Sequence, residues 1–274
     1  MLKQKILQQL IEHPDCPLSG QTLAAELQVS RNAVWKAVNV LKQEGYPIYA
    51  DGRKGYVLRS TSNHLSAETI LSYLPPSMQH IRIIAEEEMD STNREARRLL
   101  ADGFHGHALL VCNHQTAGKG HQQTSFSSPR DTGLYMSVIL PVDIPIELYR
   151  NIPMAAAYAL IDTLKELSHL PFRIRGIDEI YLHDNKIGGI LCEAYSAELE
   201  SGMLHAPVIG IGLHLTQSEL SENLLDSMFS LGYAVSRNRL AALLTEKLSG
   251  IDLCDTDAVR RSYQPLVDQT ISNI

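Results

Sequence analysis

Apolar residues in the first 45 positions recur at helical spacing in three successive segments. Ser19 and Ser30 precede the second and third segments, where a hydroxyl can cap a helix, and Gly45 follows the third segment as a helix-ending residue. Residues 47–58 then contain two short β-prone runs around a basic tip bounded by glycines, a pattern that predicts a hairpin. Three short helices followed by a hairpin are typical of a winged helix-turn-helix.

The charge of this head differs from that of the rest of the chain. Through Arg59 there are 8 Lys and Arg residues against 5 Asp and Glu, whereas the remainder has 16 against 26, and the whole chain has a formal net charge of −7. A locally basic head suits contact with double-stranded DNA. The residues expected to reach base edges and phosphates are Arg31, Asn32 and Lys36 on the third helix and Arg53 and Lys54 at the hairpin tip. The alternative is a head that only binds other proteins.

Beyond a polar linker at residues 60–66, strand-like apolar runs alternate with helical ones. We therefore expect two domains, at residues 1–62 and 67–274. Strands are predicted at 81–85, 108–113, 134–140, 172–175, 187–194 and 208–215, and helices at 92–100, 153–167 and 236–248. Their order predicts an α+β fold with the helices on one side of a sheet.

Composition narrows the class of protein. With 44% hydrophobic and 20% charged residues and average glycine and proline usage, the chain is neither disordered nor collagen-like. Its apolar runs fall short of the roughly 18 residues that span a bilayer, and a signal peptide is not recognisable, so we expect a cytoplasmic protein without a membrane partner. The cysteines Cys16, Cys112, Cys192 and Cys254 are widely spaced and are expected to be reduced and buried.

Four segments of the body carry residues suited to a polar ligand. Residues 90–93 (DSTN) end a strand and open a helix, whose N-terminus can receive an anionic group. Residues 115–120 (QTAGKG) supply an amide, two glycines and a cation, as loops that cradle carboxylate or phosphate do. Residues 173–182 bring cations next to an acidic pair, and the strands at 186–193 and 208–214 carry glycines against which ligand rings can lie. Taken singly, each segment is also compatible with a turn or a packed strand.

Taken in order, these motifs resemble the bifunctional biotin operon repressor and biotin protein ligase family (BirA family). In the head the resemblance rests on residues 30–36 (SRNAVWK) and 52–56 (GRKGY). In the body the resemblance covers most of residues 80–215. It rests on residues 91–93 (STN), 115–118 (QTAG), 128–129 (SP), 133–137 (GLYMS), 181–182 (YL), 186–191 (KIGGIL) and 210–213 (GIGL). It implies a winged helix-turn-helix joined to a class II synthetase-like mixed-sheet domain of the biotin/lipoate ligase type.

The resemblance also implies an activity. The family joins biotin to AMP with ATP and magnesium and then moves the biotinyl group to a lysine of a biotin carboxyl carrier protein, and in bifunctional members biotinyl-5'-AMP also promotes binding to operator DNA as a homodimer. Arg175 and Lys119 are the candidate catalytic cations. The ligand-binding residues expected on this basis are Ser91, Thr92, Asn93, Gln115, Gly118, Lys119, Gly120, Arg175, Lys186, Gly189, Gly212 and His214.

Several positions depart from the family pattern. The loop Gly-Arg-Gly-Arg-Arg-Gly is GKGHQQ at residues 118–123, Lys-Trp-Pro-Asn-Asp is RGIDE at residues 175–179, and His214 replaces an asparagine. The chain ends at Ile274, where the family typically continues, so we expect no C-terminal SH3-like domain. Adenylation joins two anions and needs cations to neutralise them, so we expect a regulator that binds a small carboxylic acid or its adenylate with weak or absent ligase activity.

Three alternatives remain open. The chain is an active ligase and repressor if its loops still support adenylation, for instance with magnesium held by Asp178 and Glu179. It is a sensor or transferase of lipoate if the pocket prefers that acid. It is a metal sensor if neighbouring histidines and a thiol meet in space, and the candidates for that site are His105, His107, His114, His121 and Cys112.

Overall fold

The computed structural model describes residues 2–13, 16–43, 48–51, 54–58, 64–121, 124–167, 170–194, 202–215 and 236–268. Arg53 of the predicted hairpin tip, the helix-ending Gly45 and the loop residues Gln122 and Gln123 lie outside these ranges, as does most of the predicted linker.

The head contains the predicted three helices and hairpin. The elements are α1 (Leu2–Glu12), α2 (Gly20–Glu26), α3 (Arg31–Gln43), β1 (Ile48–Ala50) and β2 (Tyr56–Leu58). The hydroxyl of Ser19 accepts a hydrogen bond from the Thr22 amide at 2.9 Å, and that of Ser30 accepts one from the Ala33 amide at 3.1 Å, so both predicted caps are present. The two strands pair antiparallel, and apolar side chains of all three helices form a separate core.

The body is built around a seven-stranded mixed sheet. Its elements are α4 (Ala67–Tyr73), β3 (Arg82–Met89), α5 (Thr92–Ala101), β4 (Ala108–Gln115), β5 (Gly133–Ile139), β6 (Ile144–Pro145), α6 (Asn151–Leu167), β7 (Phe172–Arg175), β8 (Glu179–Leu182), β9 (Asn185–Glu193), β10 (Met203–Leu204), β11 (Val208–His214), α7 (Arg237–Ser249) and α8 (Thr256–Tyr263). The strand order is β3-β4-β5-β11-β9-β8-β7, with β3 and β4 parallel and the other neighbours antiparallel.

Helices cover both faces of this sheet, so the expectation of helices on one side was wrong. On one face Leu109 and Val111 of β4 pack in the core that includes α4, α6 and α7. Alternate residues of the same strand, Leu110 and Cys112, pack against Ala96 of α5 on the other face. The amphipathic pattern of α5 reveals that it has a buried side but carries no information on which face of the sheet it covers. Helices α4 and α8 were not predicted.

The cysteines divide into two classes. Cys112 and Cys192 are buried as expected, whereas Cys16, in the connection between α1 and α2, and Cys254, in the turn after α7, are exposed. Burial raises the pKa of the Cys112 thiol to about 12, so this thiol is protonated at neutral pH. Among the described residues, the longest apolar helical stretch is too short to cross a membrane.

Candidate functional site

A cavity of about 560 Å³ opens on the face of the sheet that carries α5. It lies between the N-terminus of α5, the loop after β4 and the turn between β7 and β8, and its volume is in the range usual for small-molecule sites. Nine of the predicted ligand-binding residues line it, which are Ser91, Thr92, Asn93, Gln115, Lys119, Gly120, Lys186, Gly189 and Gly212. The structure therefore brings together segments that are up to 121 positions apart in sequence.

Glycines in the floor of the cavity allow neighbouring side chains to pack closely against the sheet. Gly212 pairs with Gly189 across β11 and β9, and a Cβ atom at Gly212 would come within 2.4 Å of the Phe126 ring. A Cβ atom at Gly210 would come within 2.2 Å of the Asn93 side-chain oxygen. Both distances are shorter than real Cβ contacts, so these two positions require glycine for the present packing.

The predicted polar residues at the start of α5 fix one another. Gln115 accepts a hydrogen bond from the Thr92 amide at 2.9 Å and donates one to the Ser128 hydroxyl at 2.8 Å. The side-chain amide nitrogen (Nδ2) of Asn93 donates to the Leu191 carbonyl at 3.1 Å and to the Glu193 carboxylate at 2.8 Å. Because these side chains are held by partners in neighbouring strands, the polar end of the cavity is preorganised.

The loop after β4 folds back on itself. The Phe126 amide donates to the Gly118 carbonyl at 3.0 Å, and the Gly120 amide donates to the Thr124 carbonyl at 2.8 Å. Gly118 does not line the cavity, but a Cβ atom there would lie 2.6 Å from the Phe126 carbonyl, so this close approach requires glycine. The fold brings Lys119, Gly120 and His121 to the cavity wall.

Phe126 is the main apolar wall residue that sequence reasoning missed. Its ring lines the cavity and stacks on His214, with centroids 5.2 Å apart and an interplanar angle of 18°. His214 itself does not line the cavity and lies behind this ring. The signal that could have indicated Phe126 is its position two residues before the Ser128-Pro129 pair of the recognised motif.

Basic and acidic groups are paired on the wall of the cavity. The Lys186 ammonium lies 2.5 Å from the Glu179 carboxylate, and the His121 imidazole is hydrogen-bonded to the Asp178 carboxylate. Lys119 is the third basic residue among the described lining residues. The positive field on a ligand is therefore reduced by two carboxylates that face the same space.

Arg175, a predicted catalytic cation, is not among the residues that line the cavity. Its guanidinium lies 3.1 Å from both the Asp268 and the Asp184 carboxylates and 4.1 Å from the centre of the Tyr181 ring. The hydrogen bond to Asp268 is the main cause that raises the pKa of Arg175. The structure thus does not bring Arg175 together with Lys119.

The metal-sensing hypothesis is contradicted within the described part of the chain, where no cluster of three or more His, Cys, Asp or Glu residues could hold an ion. His114 bonds to the Ser128 carbonyl at 2.8 Å, and His121 bonds to Asp178. Burial, with the nearby His80, lowers the pKa of His107 to about 4. For the magnesium alternative, Asp178 and Glu179 do face the cavity, but each is already bonded to a basic partner.

The predicted DNA-contacting residues that the structure describes are all exposed. Arg31, Asn32 and Lys36 lie on the outer side of α3, opposite the buried Val34 and Val38. Lys54, beside the hairpin tip, is also exposed and lies 3.7 Å from Asp51.

Comparisons with known proteins agree with this architecture. Residues 3–57 match the model of an HTH domain, and residues 86–214 match that of the biotin/lipoate A/B protein ligase family. The bifunctional ligase/repressor BirA of Bacillus subtilis is 31% identical over 219 residues, which cover 79% of this chain and 66% of that protein. The protein of the same name from Escherichia coli is 25% identical over 234 residues, or 84% of this chain and 70% of that one.

The solved structures agree at the level of the fold. The biotin protein ligase of Leishmania major, in complex with biotinyl-5-AMP, has a TM-score of 0.58 at 22% identity and covers 72% of this chain and 83% of that one. The chain spans just under two thirds of the length of the Bacillus relative, at 66%. It is a homologue of the bifunctional ligase/repressor BirA, and it joins a helix-turn-helix domain to a domain of the biotin/lipoate A/B protein ligase family.

Proposed function

We propose that this chain is a ligand-responsive DNA-binding repressor. In this proposal the head, within residues 1–62, binds operator DNA. The body, within residues 67–274, binds biotin or a similar small carboxylic acid, or its adenylate, and has little or no ligase activity. The observation that carries the proposal is the pairing of Lys186 with Glu179 and of His121 with Asp178 on the wall of the cavity.

The charge of the cavity wall is the reason to propose ligand binding without catalysis. Attack of a carboxylate on the α-phosphate of ATP brings two anions together, so catalysis depends on cations aimed at the charge that develops. Here Lys186 and His121 are matched by Glu179 and Asp178, and Arg175 is bonded to Asp268 and Asp184 away from the cavity. Lys119 is the other basic residue among the described residues that line the cavity.

Shape supports retained binding. The Phe126 ring, packed against Gly212, supplies an apolar wall of the cavity, and the start of α5 offers an ordered polar end. A small acid such as biotin, with one apolar body and one carboxylate, matches this distribution of groups. These residues also suit the biotinyl part of biotinyl-5'-AMP, whose phosphate would depend on Lys119 and Lys186.

The partners follow from the head. A helix-turn-helix protein usually binds two half-sites as a dimer, so we propose that two copies of this chain occupy one operator. Transfer to a biotin carboxyl carrier protein belongs to the alternative of an active ligase.

Turnover distinguishes the two functions. The purified chain is incubated with biotin, ATP and magnesium, with and without a biotin carboxyl carrier protein, and pyrophosphate release is measured. We expect a rate at least about 100-fold below 1 s⁻¹, the lower end of ordinary kcat values. In parallel, thermal unfolding is measured with biotin, lipoate and biotinyl-5'-AMP, because a ligand at 100 times its Kd adds about 2.7 kcal/mol to the stability.

Two outcomes would contradict the proposal. Biotinylation of the carrier at an ordinary enzymatic rate would establish an active ligase. Stabilisation by lipoate but not by biotin, together with pyrophosphate release, would favour a lipoate-related transferase. Stabilisation by biotin or its adenylate with negligible turnover is the expected result.

A further inference from the structure

Trp35 is an exposed aromatic residue on the outer side of α3. It is the one tryptophan of the sequence, and 54% of its surface is exposed. The opposite side of the helix is fixed by Val34, Val38 and Leu41, which are buried in the core of the head. The orientation of Trp35 toward the outside is therefore set by the packing of the whole helix.

Trp35 shares its face with the residues proposed to contact DNA. It follows Arg31 by four positions and Asn32 by three, and residues at these spacings are neighbours on a helix surface. Lys36 comes directly after it and is also exposed. When the outer side of α3 faces a partner, Trp35 consequently lies in the interface.

Charge identifies the kind of partner. Helix α3 contains Arg31, Lys36 and Lys42, and its 13 residues include no carboxylate. Such a surface is complementary to phosphates and not to an apolar protein groove. On such a polyanion, the group that an exposed indole contacts most favourably is an apolar one.

We infer that Trp35 contacts the C5-methyl group of thymine in the major groove. This methyl is the apolar feature that base edges present there, since the other positions are hydrogen-bond donors and acceptors. The inference rests on the proposed DNA-binding function and adds a source of sequence preference to it. Arg31 and Asn32 would hold neighbouring base edges or phosphates while the indole covers the methyl.

The test removes the methyl group and nothing else. Duplexes that the full chain binds are selected from a random pool, and each thymine of the selected sequence is replaced in turn by uracil. For the wild-type chain, we expect one or two replacements to weaken binding about fourfold, the worth of one methyl-sized apolar group. The Trp35→Ala variant binds the parent duplex more weakly and does not respond to the same replacements, whereas Trp35→Phe retains part of the response.

Two controls separate a lost contact from a damaged head. The slope of binding affinity against salt concentration should be the same for Trp35→Ala and wild type, because no charge is removed. Tyr49→Ala removes another exposed aromatic residue, 51% exposed, from β1 instead of α3, and should leave the uracil response intact.

The outcomes are distinguishable. If the wild-type chain binds every uracil duplex as well as the parent, or if Trp35→Ala keeps the full uracil response, the inference about Trp35 is overturned while DNA binding stands. If Trp35→Ala changes the oligomeric state and not the uracil response, the residue serves a protein interface, which also overturns it. If no duplex is enriched from the pool, the proposed DNA-binding function itself has failed.

Discussion

Helix α3 and the cavity of the body both carry basic side chains, but their surroundings differ. On α3, Arg31, Lys36 and Lys42 face outward from a helix without carboxylates. In the cavity, Lys186 and His121 are bonded to Glu179 and Asp178. The first arrangement keeps a positive field for a polyanion, whereas the second neutralises much of the field before a ligand arrives.

This difference underlies the proposal that the head binds DNA whereas the cavity is poorly suited to adenylation. DNA binding depends on positive charge that is available for phosphates, so the head meets that requirement. Adenylation depends on positive charge inside the cavity, and there the carboxylates of the β7–β8 turn oppose it. In the proposed function, the cavity binds a small acid through shape and hydrogen bonds, which do not depend on that positive field.

The largest expected effect is on the head. Replacing Arg31 and Lys36 together by alanine should weaken binding to a selected duplex about 100-fold, as the loss of two contacts of about 1.4 kcal/mol each would do. The slope of log affinity against log salt should flatten by about 1 for each of the two side chains that contacts a phosphate. Fluorescence anisotropy over a salt series measures both quantities.

The matched control is Lys165→Ala, which removes an exposed positive charge from α6 of the body. It should change affinity and salt slope only slightly. A loss of affinity per removed charge that is as large in Lys165→Ala as in the double replacement of Arg31 and Lys36 would indicate a response to net charge and would contradict a special role of α3.

The next effect concerns the cavity. Asp178→Asn should raise the affinity for biotinyl-5'-AMP about tenfold, because a carboxylate is removed from the wall that the phosphate meets. One charge pair at 4 Å is worth about 4 kcal/mol at an effective dielectric of 20, and partial solvent exposure of Asp178 reduces the observed share. Titration calorimetry with biotinyl-5'-AMP and with biotin measures the change.

Asp184→Asn is the matched control for this prediction. Asp184 is another carboxylate of the same sheet region, but its side chain is 96% exposed and bonds to Arg175, away from the cavity. It should leave the affinity unchanged. A loss of magnesium-dependent binding in Asp178→Asn would instead support the magnesium alternative and contradict the charge argument.

Local patterns predicted most of the longer elements and many of the cavity residues. The helix caps at Ser19 and Ser30 and the strand-to-helix junction before Thr92 depend on neighbours within a few residues, so the sequence encodes them directly. The glycines of β9 and β11 were recognisable as positions where another group comes close to the strand backbone, and in the structure several of these groups belong to the protein itself.

Pairings over long distances along the chain could not be read from such patterns. His121 meets Asp178 57 positions later, and Arg175 meets Asp268 93 positions later. Each pair forms because the strand order brings two loops or ends together, and a charge pattern in one segment does not specify its partner in another. The sequence predicted Arg175 as a catalytic cation, but it could not reveal that Asp268 bonds to the guanidinium.

The smallest expected effect on ligand binding tests the predicted catalytic role of Arg175. Because Arg175 lies outside the described lining of the cavity, Arg175→Ala should change the affinity for biotin and for biotinyl-5'-AMP by less than about twofold, since it removes no contact with the ligand. It should lower the melting temperature, because the Asp268 side chain, 5% exposed, loses the Arg175 guanidinium at 3.1 Å and keeps the Arg173 guanidinium at 3.6 Å.

Arg175→Lys separates the two interpretations of this residue. If Arg175 positions the C-terminal part of the body, lysine restores only part of the stability, because the point charge of an ammonium replaces only part of the planar guanidinium. In that case the affinity for the ligand and the turnover stay as they are in the wild-type chain. If Arg175 acts on the ligand, alanine weakens adenylate binding at least about tenfold and lysine, the residue of the family motif, increases pyrophosphate release. Calorimetry and turnover measured on the two variants, compared with their melting temperatures, decide whether Arg175 acts on the ligand or only stabilises the body.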